Sequence, residues 1–183
     1  SVTGTYQKYV HYVSSTSIFP SDCNKEDNIN VRDDRFHPNR LSEGYSQSKN
    51  VAEQIIAMAV ENYSIPISVY RPGMISSSSI TGHSNVTDWV SRLLYTFLVT
   101  KLVPKYPHAY ADDSNGILEL CPVDFVSQFI VSNMIDNSPE SNTFNILNSS
   151  NLGLEWNELV NSIQMYNSDI TIVRDYNHWF NQT

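Results

Sequence analysis

Short apolar segments rich in β-branched and aromatic residues alternate along this chain with longer amphipathic ones. No other feature constrains the fold as much. "KYVHYVSS" (residues 8–15), "IPISVYRPG" (65–73), "GILEL" (116–120), "TFNIL" (143–147) and "DITIVR" (169–174) read as strands. Between them, residues 42–63, "TDWVSRLLYTFLV" (87–99), "PVDFVSQFIVSNMI" (122–135) and "LEWNELVNSIQMY" (154–166) read as helices. Thr87 or Asp88 supplies a helix start and Pro122 occupies a first turn. Apolar strands joined by helices predict a parallel α/β sheet, in which ligands bind at the carboxyl ends of the strands. The polar stretch from Pro20 to Leu41 reads as a surface loop, long enough to suggest a job of its own. Another helix is expected to begin in "DYNHWFNQT" at the end.

Three features fall on that carboxyl edge. The hydroxyl run "SSTS" ends the first strand, "PGM" ends the second, and "GYSQSK" opens the helix between them. Tyr45 and Lys49 are one helical turn apart, so both side chains leave one face. At 100° per residue, Ala52, Ile56, Ala59 and Tyr63 lie within about 40° of Tyr45, and Asn50, Gln54 and Glu61 lie opposite. The stripe opened by Tyr45 and Lys49 is therefore expected to face the interior. Chance alone supplies about 0.3 Tyr-x-x-x-Lys pairs in a chain of this composition, so the convergence carries the weight, not the spacing.

Composition excludes several partners. A net charge of −8 with 11 scattered basic residues argues against nucleic acid or an anionic membrane surface. Cys23 and Cys121 form neither a disulfide framework nor a metal-ligand spacing, which fits a reducing, cytoplasmic setting, and Cys121 reads as a small core residue. The five histidines have no i, i+4 partner, so no metal site is expected, and no stretch reaches the length of a membrane span.

A phenol ordinarily titrates near pH 10, and an ammonium close by favours its anion. A serine hydroxyl across the site can hold a carbonyl oxygen beside the phenol. Ser, Tyr and Lys together can protonate an oxygen as hydride reaches its carbon, or run the reverse oxidation. That chemistry gives an inward Lys49 a purpose: to tune Tyr45 and to hold a sugar hydroxyl of the hydride donor.

"YVSSTSIF", "GYSQSK" and "VYRPGMI" resemble the Ser/Thr, Tyr-x-x-x-Lys and Pro-Gly elements of extended short-chain dehydrogenase/reductases. Arg71-Pro72-Gly73, Ile75 and Ser79-Ile80-Thr81-Gly82, with "SNVTDWVSRLL" and "CPVDFVS", are similar to thioester reductase domains of nonribosomal peptide and polyketide synthases. The resemblance implies reduction of a carrier-bound acyl thioester to an aldehyde or alcohol with NADPH or NADH. It gives Tyr45 the role of general acid, with Lys49 as its partner and ribose anchor. Ser15 fills the Ser/Thr position, with Ser14 and Thr16 as the neighbouring alternatives. The backbone of Pro72, Gly73, Met74 and Ile75 meets the nicotinamide end of the cofactor. Thr81, Asn85 and Asp88 face the substrate, although a helix cap explains Asp88 equally well. Ser77 stands where the family pattern has glycine. The implied partner is an acyl or peptidyl carrier protein bearing phosphopantetheine, within a multidomain synthase.

A dinucleotide-binding sheet should begin with a strand and a glycine-rich turn. No such turn occurs in these residues, whose six glycines do not cluster. By the resemblance, residues 1–183 are a partial reductase domain. They form the second half of a Rossmann-like doubly wound sheet, without the glycine-rich strand-turn-helix and without the terminal helices that cover the substrate. Two other readings stand beside this one. The chain could be a different extended reductase, such as a fatty acyl reductase or sugar-nucleotide epimerase, or a truncated non-catalytic remnant or interaction module.

Overall fold

The computed structural model describes residues 8–20, 41–105, 116–135, 141–148, 153–173 and 179–181. In chain order these form β1 (Val10–Val13), a 3₁₀ turn (Thr16–Ile18), α1 (Gly44–Tyr63), β2 (Ile67–Pro72) and β3 (Met74–Ser76). There follow α2 (Trp89–Thr100), β4 (Leu102–Pro104), β5 (Ile117–Leu118), β6 (Leu120–Pro122) and α3 (Val123–Ile135). The series closes with β7 (Thr143–Ile146), β8 (Leu154–Glu155), α4 (Trp156–Tyr166) and β9 (Thr171–Val173). The loop expected between Pro20 and Leu41, and most of "DYNHWFNQT", lie outside the described residues.

Two units divide these elements, one of residues 1–75 and 124–147, the other of residues 76–123 and 148–183. In the first, β1, β2 and β7 form a parallel sheet in that order, with Val13 opposite Tyr70 and Tyr70 opposite Phe144. Strand alternation sends Tyr70 and Arg71 to opposite faces. Tyr70 is fully buried, stacked on Phe144 at 5.5 Å and edge-on to Phe129 of α3 at 6.3 Å. Its hydroxyl pairs with His11 Nδ1 at 3.0 Å. Arg71 meets Glu53 of α1 on the other face. A parallel sheet with a helix on each face is the α/β arrangement expected from the alternating segments.

Helix α1 ends where Ser64 turns left-handed (φ 53°) and its N–H still reaches the Val60 carbonyl at 3.0 Å. The buried line of α1 differs from the expected one. Tyr45 is 57% exposed and Tyr63 is also exposed, whereas Asn50, assigned to the outer side, is only 3% exposed. Ser46, Asn50 and Glu53 face the sheet instead, about 100° round the helix from Tyr45. The physical reason is Arg71: a buried cation on β2 requires polar groups above it, which an alanine and isoleucine stripe would not offer.

The second unit is built on aromatics. Phe97, fully buried in α2, lies edge-on to Trp156 at 5.9 Å and Trp179 at 6.1 Å. The Trp156 indole N–H donates to the Pro104 carbonyl at 3.0 Å and that of Trp179 to the Leu102 carbonyl at 3.2 Å, so both rings are pinned to β4. Strand β4 pairs parallel with β9, and β5 pairs antiparallel with β8. Cys121 is buried, as a small core residue should be. Among the described residues no helix is long and apolar enough to cross a membrane.

Candidate active site

The first unit gathers Ser15, Tyr45, Lys49 and Pro72–Gly73 at the carboxyl ends of β1 and β2. Strand β1 stops because Ser15 caps the 3₁₀ turn, its Oγ accepting from the Ser17 N–H at 3.1 Å. Since Oγ is the acceptor there, the Ser15 hydroxyl proton stays available to another oxygen. The flanking hydroxyls are committed differently. Thr16 Oγ1 lies 3.4 Å from the Pro72 carbonyl, to which it donates, and Ser14 is buried with no hydrogen-bond partner for its Oγ among the described residues.

Lys49 reaches back across the start of α1. Its ammonium donates to the Val13 carbonyl at 3.0 Å, 5.2 Å from the Tyr12 ring centroid and 5.9 Å from that of Tyr45. One of its three N–H groups is thereby fixed, and two are left to meet a ligand hydroxyl. Tyr45 projects from the same turn into solvent-exposed space. A phenol, a tethered ammonium and a free serine proton can therefore be presented at one strand edge.

Strand β2 runs into Pro72, and Gly73 N–H donates to the Ile146 carbonyl at 2.9 Å. That amide belongs to the sheet, so contact of this segment with a ligand must use other backbone atoms or plain van der Waals packing. Just before it, Arg71 forks onto Glu53, Nε lying 3.0 and 3.1 Å from the two carboxylate oxygens and Nη2 also bonding Oε2. Reading the sequence for chemistry passed over Glu53. Its signal was its spacing, four residues after Lys49 and eight after Tyr45 on one helix.

Thr81, Asn85 and Asp88 lie in the second unit, in the turns before α2. Each is engaged locally: Thr81 Oγ1 accepts from His83 N–H at 3.3 Å, and Asn85 Oδ1 from Thr87 N–H at 3.1 Å. Asp88 Oδ1 accepts from Ser91 N–H at 2.7 Å, which makes it the N-cap of α2, the simpler of its two expected roles. Gly82 has φ +68°, so the glycine of that motif serves a left-handed turn. Ser77 is not among the residues with positive φ, so serine occupies that position without backbone strain.

The model of the Male sterility protein family matches residues 3–130. The chain is 32% identical over 160 residues to a linear gramicidin synthase of Brevibacillus parabrevis, covering 86% of this chain and 3% of that protein. It is 29% identical over 145 residues to a carboxylic acid reductase of Segniliparus rugosus, covering 76% of this chain and 12% of that one. Among solved structures, the terminal R domain from the myxalamid PKS-NRPS biosynthetic pathway superposes with TM-score 0.75 at 28% identity, over 96% of this chain and 41% of that chain. The chain thus spans a small part of these synthases and reductases and under half of the solved R domain.

Proposed function

The chain belongs to the Male sterility protein family, within the thioester reductase group of extended short-chain dehydrogenase/reductases, and from that premise we propose that its Ser15, Tyr45 and Lys49 serve NAD(P)H-dependent reduction of a carrier-bound acyl thioester. The observation that carries the reading is the Lys49 tether to Val13, which holds an ammonium beside the Tyr45 ring and at the end of β1, two residues before Ser15.

The two free N–H groups of Lys49 suit the hydroxyls of a nicotinamide ribose, and the exposed Tyr45 ring leaves room beside them. No glycine-rich turn for a pyrophosphate occurs in these residues, so their share is the nicotinamide end alone. When bound, NAD(P)H supplies the hydride. The protein's own groups handle the oxygen: Ser15 donates a hydrogen bond to the thioester carbonyl, and Tyr45 gives its proton to that oxygen as negative charge builds on it. Lys49 stabilises the phenolate left behind. Collapse of the resulting hemithioacetal expels the thiol and leaves the aldehyde. The balance is thioester plus NAD(P)H plus a proton to aldehyde, thiol and NAD(P)⁺. A further hydride would give the alcohol.

The acyl group arrives in this reading on the phosphopantetheine arm of a carrier protein, in keeping with a relative that is a linear gramicidin synthase subunit and with a solved R domain from a PKS-NRPS pathway. The test supplies the full-length protein with an acyl-pantetheine thioester or a nucleotide sugar, each with NADPH or NADH. Release of thiol in step with cofactor oxidation supports the proposal. Turnover of the nucleotide sugar alone would transfer the chain to the epimerase branch, and turnover of neither would mark a non-catalytic remnant.

A further inference from the structure

Three pieces of the proposed site converge on one guanidinium. Arg71 is the last residue before Pro72-Gly73, and its side chain is buried, 8% exposed, against a Glu53 carboxylate that is 12% exposed. Glu53 sits one turn beyond Lys49 and two beyond Tyr45 on α1. The guanidinium carbon also lies 5.2 Å from the ring centroid of Phe19, at the end of the 3₁₀ turn that Ser15 begins. Thr16 of that same turn donates to the Pro72 carbonyl. The segment with the serine, the helix with the tyrosine and lysine, and the strand end with the proline and glycine are thus tied through Arg71.

Stability alone is a weak reason to bury this pair. Two charges removed from water recover their desolvation cost only with good geometry, and apolar residues of similar volume often serve a fold as well. Orientation is the stronger reason. The guanidinium is a rigid planar fork, so gripping both carboxylate oxygens fixes angle as well as distance. Displacement of a reacting group by about 1 Å can cost about 10²-fold in rate.

We propose that Arg71 and Glu53 are positioning residues that lock α1, the Ser15 turn and the Pro72-Gly73 segment in register, so that Lys49 and Tyr45 meet the nicotinamide ribose at a fixed angle. The proposal rests on the reductase reading above. In this role neither residue needs to touch substrate or cofactor, since both act through Lys49 and Tyr45.

The experiment compares Arg71→Lys and the double variant Arg71→Met, Glu53→Leu with the wild type, all in the full-length protein. The double variant removes both charges, so no unpaired ion is left buried. It should keep its melting temperature within a few degrees while kcat falls about 10-fold or more and NADPH binds about 10-fold more weakly, with the thioester KM little changed. Arg71→Lys keeps the charge but loses the fork, and should recover part of both losses. A folded double variant with wild-type kcat and NADPH affinity overturns the proposal. If the double variant does not fold, Arg71→Lys decides: unchanged kcat and affinity overturn it, a loss in both with normal folding supports it. NADPH affinity is read by nucleotide fluorescence without thioester, so a wild type that binds NADPH but reduces no thioester refutes the substrate reading alone. The variants' affinities then still judge the clamp. A wild type that binds neither NADPH nor NADH overturns both.

Discussion

The Lys49 ammonium hydrogen-bonds the carbonyl oxygen of Val13, 36 positions earlier in the chain, at 3.0 Å. This tether sets the direction in which the remaining N–H groups point. Lys49→Met should therefore weaken NADPH binding and lower kcat together, whereas Tyr45→Phe should lower kcat by about 10² or more with little change in NADPH affinity. Nucleotide fluorescence titration and steady-state turnover separate the two. Near-normal turnover by Tyr45→Phe would remove the phenol from the mechanism.

The adjacent serines should respond in opposite ways. Ser14 Oγ is buried with no hydrogen-bond partner among the described residues, so its desolvation is uncompensated. Ser14→Ala removes that unmatched group and should leave stability within about 1 kcal/mol of wild type, or raise it, with turnover retained. Ser15→Ala removes the free hydroxyl proton together with the acceptor for Ser17 N–H, so it should lower kcat at a stability cost of about 1 kcal/mol. Urea melts and turnover of both variants test the register. A larger rate loss for Ser14→Ala would shift the catalytic position by one residue.

The sheet and its helices were legible in the sequence because residues such as Tyr70, Val69 and Phe144 announce buried strands through apolar, β-branched or aromatic character. Lys49 and Tyr45 were legible as a pair through their spacing. The rotation of α1 was not, since it follows from a long-range demand: Arg71 sits 18 residues from Glu53, and only the folded sheet brings them together. Helical periodicity sees apolar faces and misses a polar face buried over an ion pair. Strand β4 escaped for another reason. Its three residues, Leu102–Pro104, lie one residue beyond α2 and show no alternation of their own, and they exist as a strand through pairing with β9.

Burial pushes the Cys121 thiol above its ordinary value, and Glu119 adds to that push while a backbone hydrogen bond at Asn148 opposes it. With its thiolate disfavoured and access closed, Cys121 should resist thiol reagents. In a Cys23→Ser background, modification of the native protein at pH 8 should be about 10²-fold slower or more than in urea. The linkage sign follows from a raised folded value. The contribution is present below the unfolded value near pH 8.5 and is lost as pH rises through the folded one. The stability advantage of this protein over its Cys121→Ala variant should therefore shrink above pH 8.5. Rapid native labelling would place the thiol at the surface.

Phe97 should be the position in the second unit where truncation costs most. Its ring fills the space between Trp156 and Trp179, at interplanar angles of 88° and 65°. Both indoles are fixed by their N–H bonds to the Pro104 and Leu102 carbonyls, so neither can collapse into a void without giving one up. A cavity that cannot relax carries the full transfer and cavity cost, so Phe97→Ala should destabilise by about 3–5 kcal/mol. Trp89, Trp156 and Trp179 all belong to this unit, so tryptophan emission reports its unfolding specifically. The urea midpoint read by that emission should fall sharply in Phe97→Ala and much less in Phe97→Leu, which refills most of the volume. A loss under about 1 kcal/mol in Phe97→Ala would mean that the indoles do move, and that their bonds to β4 do not hold them.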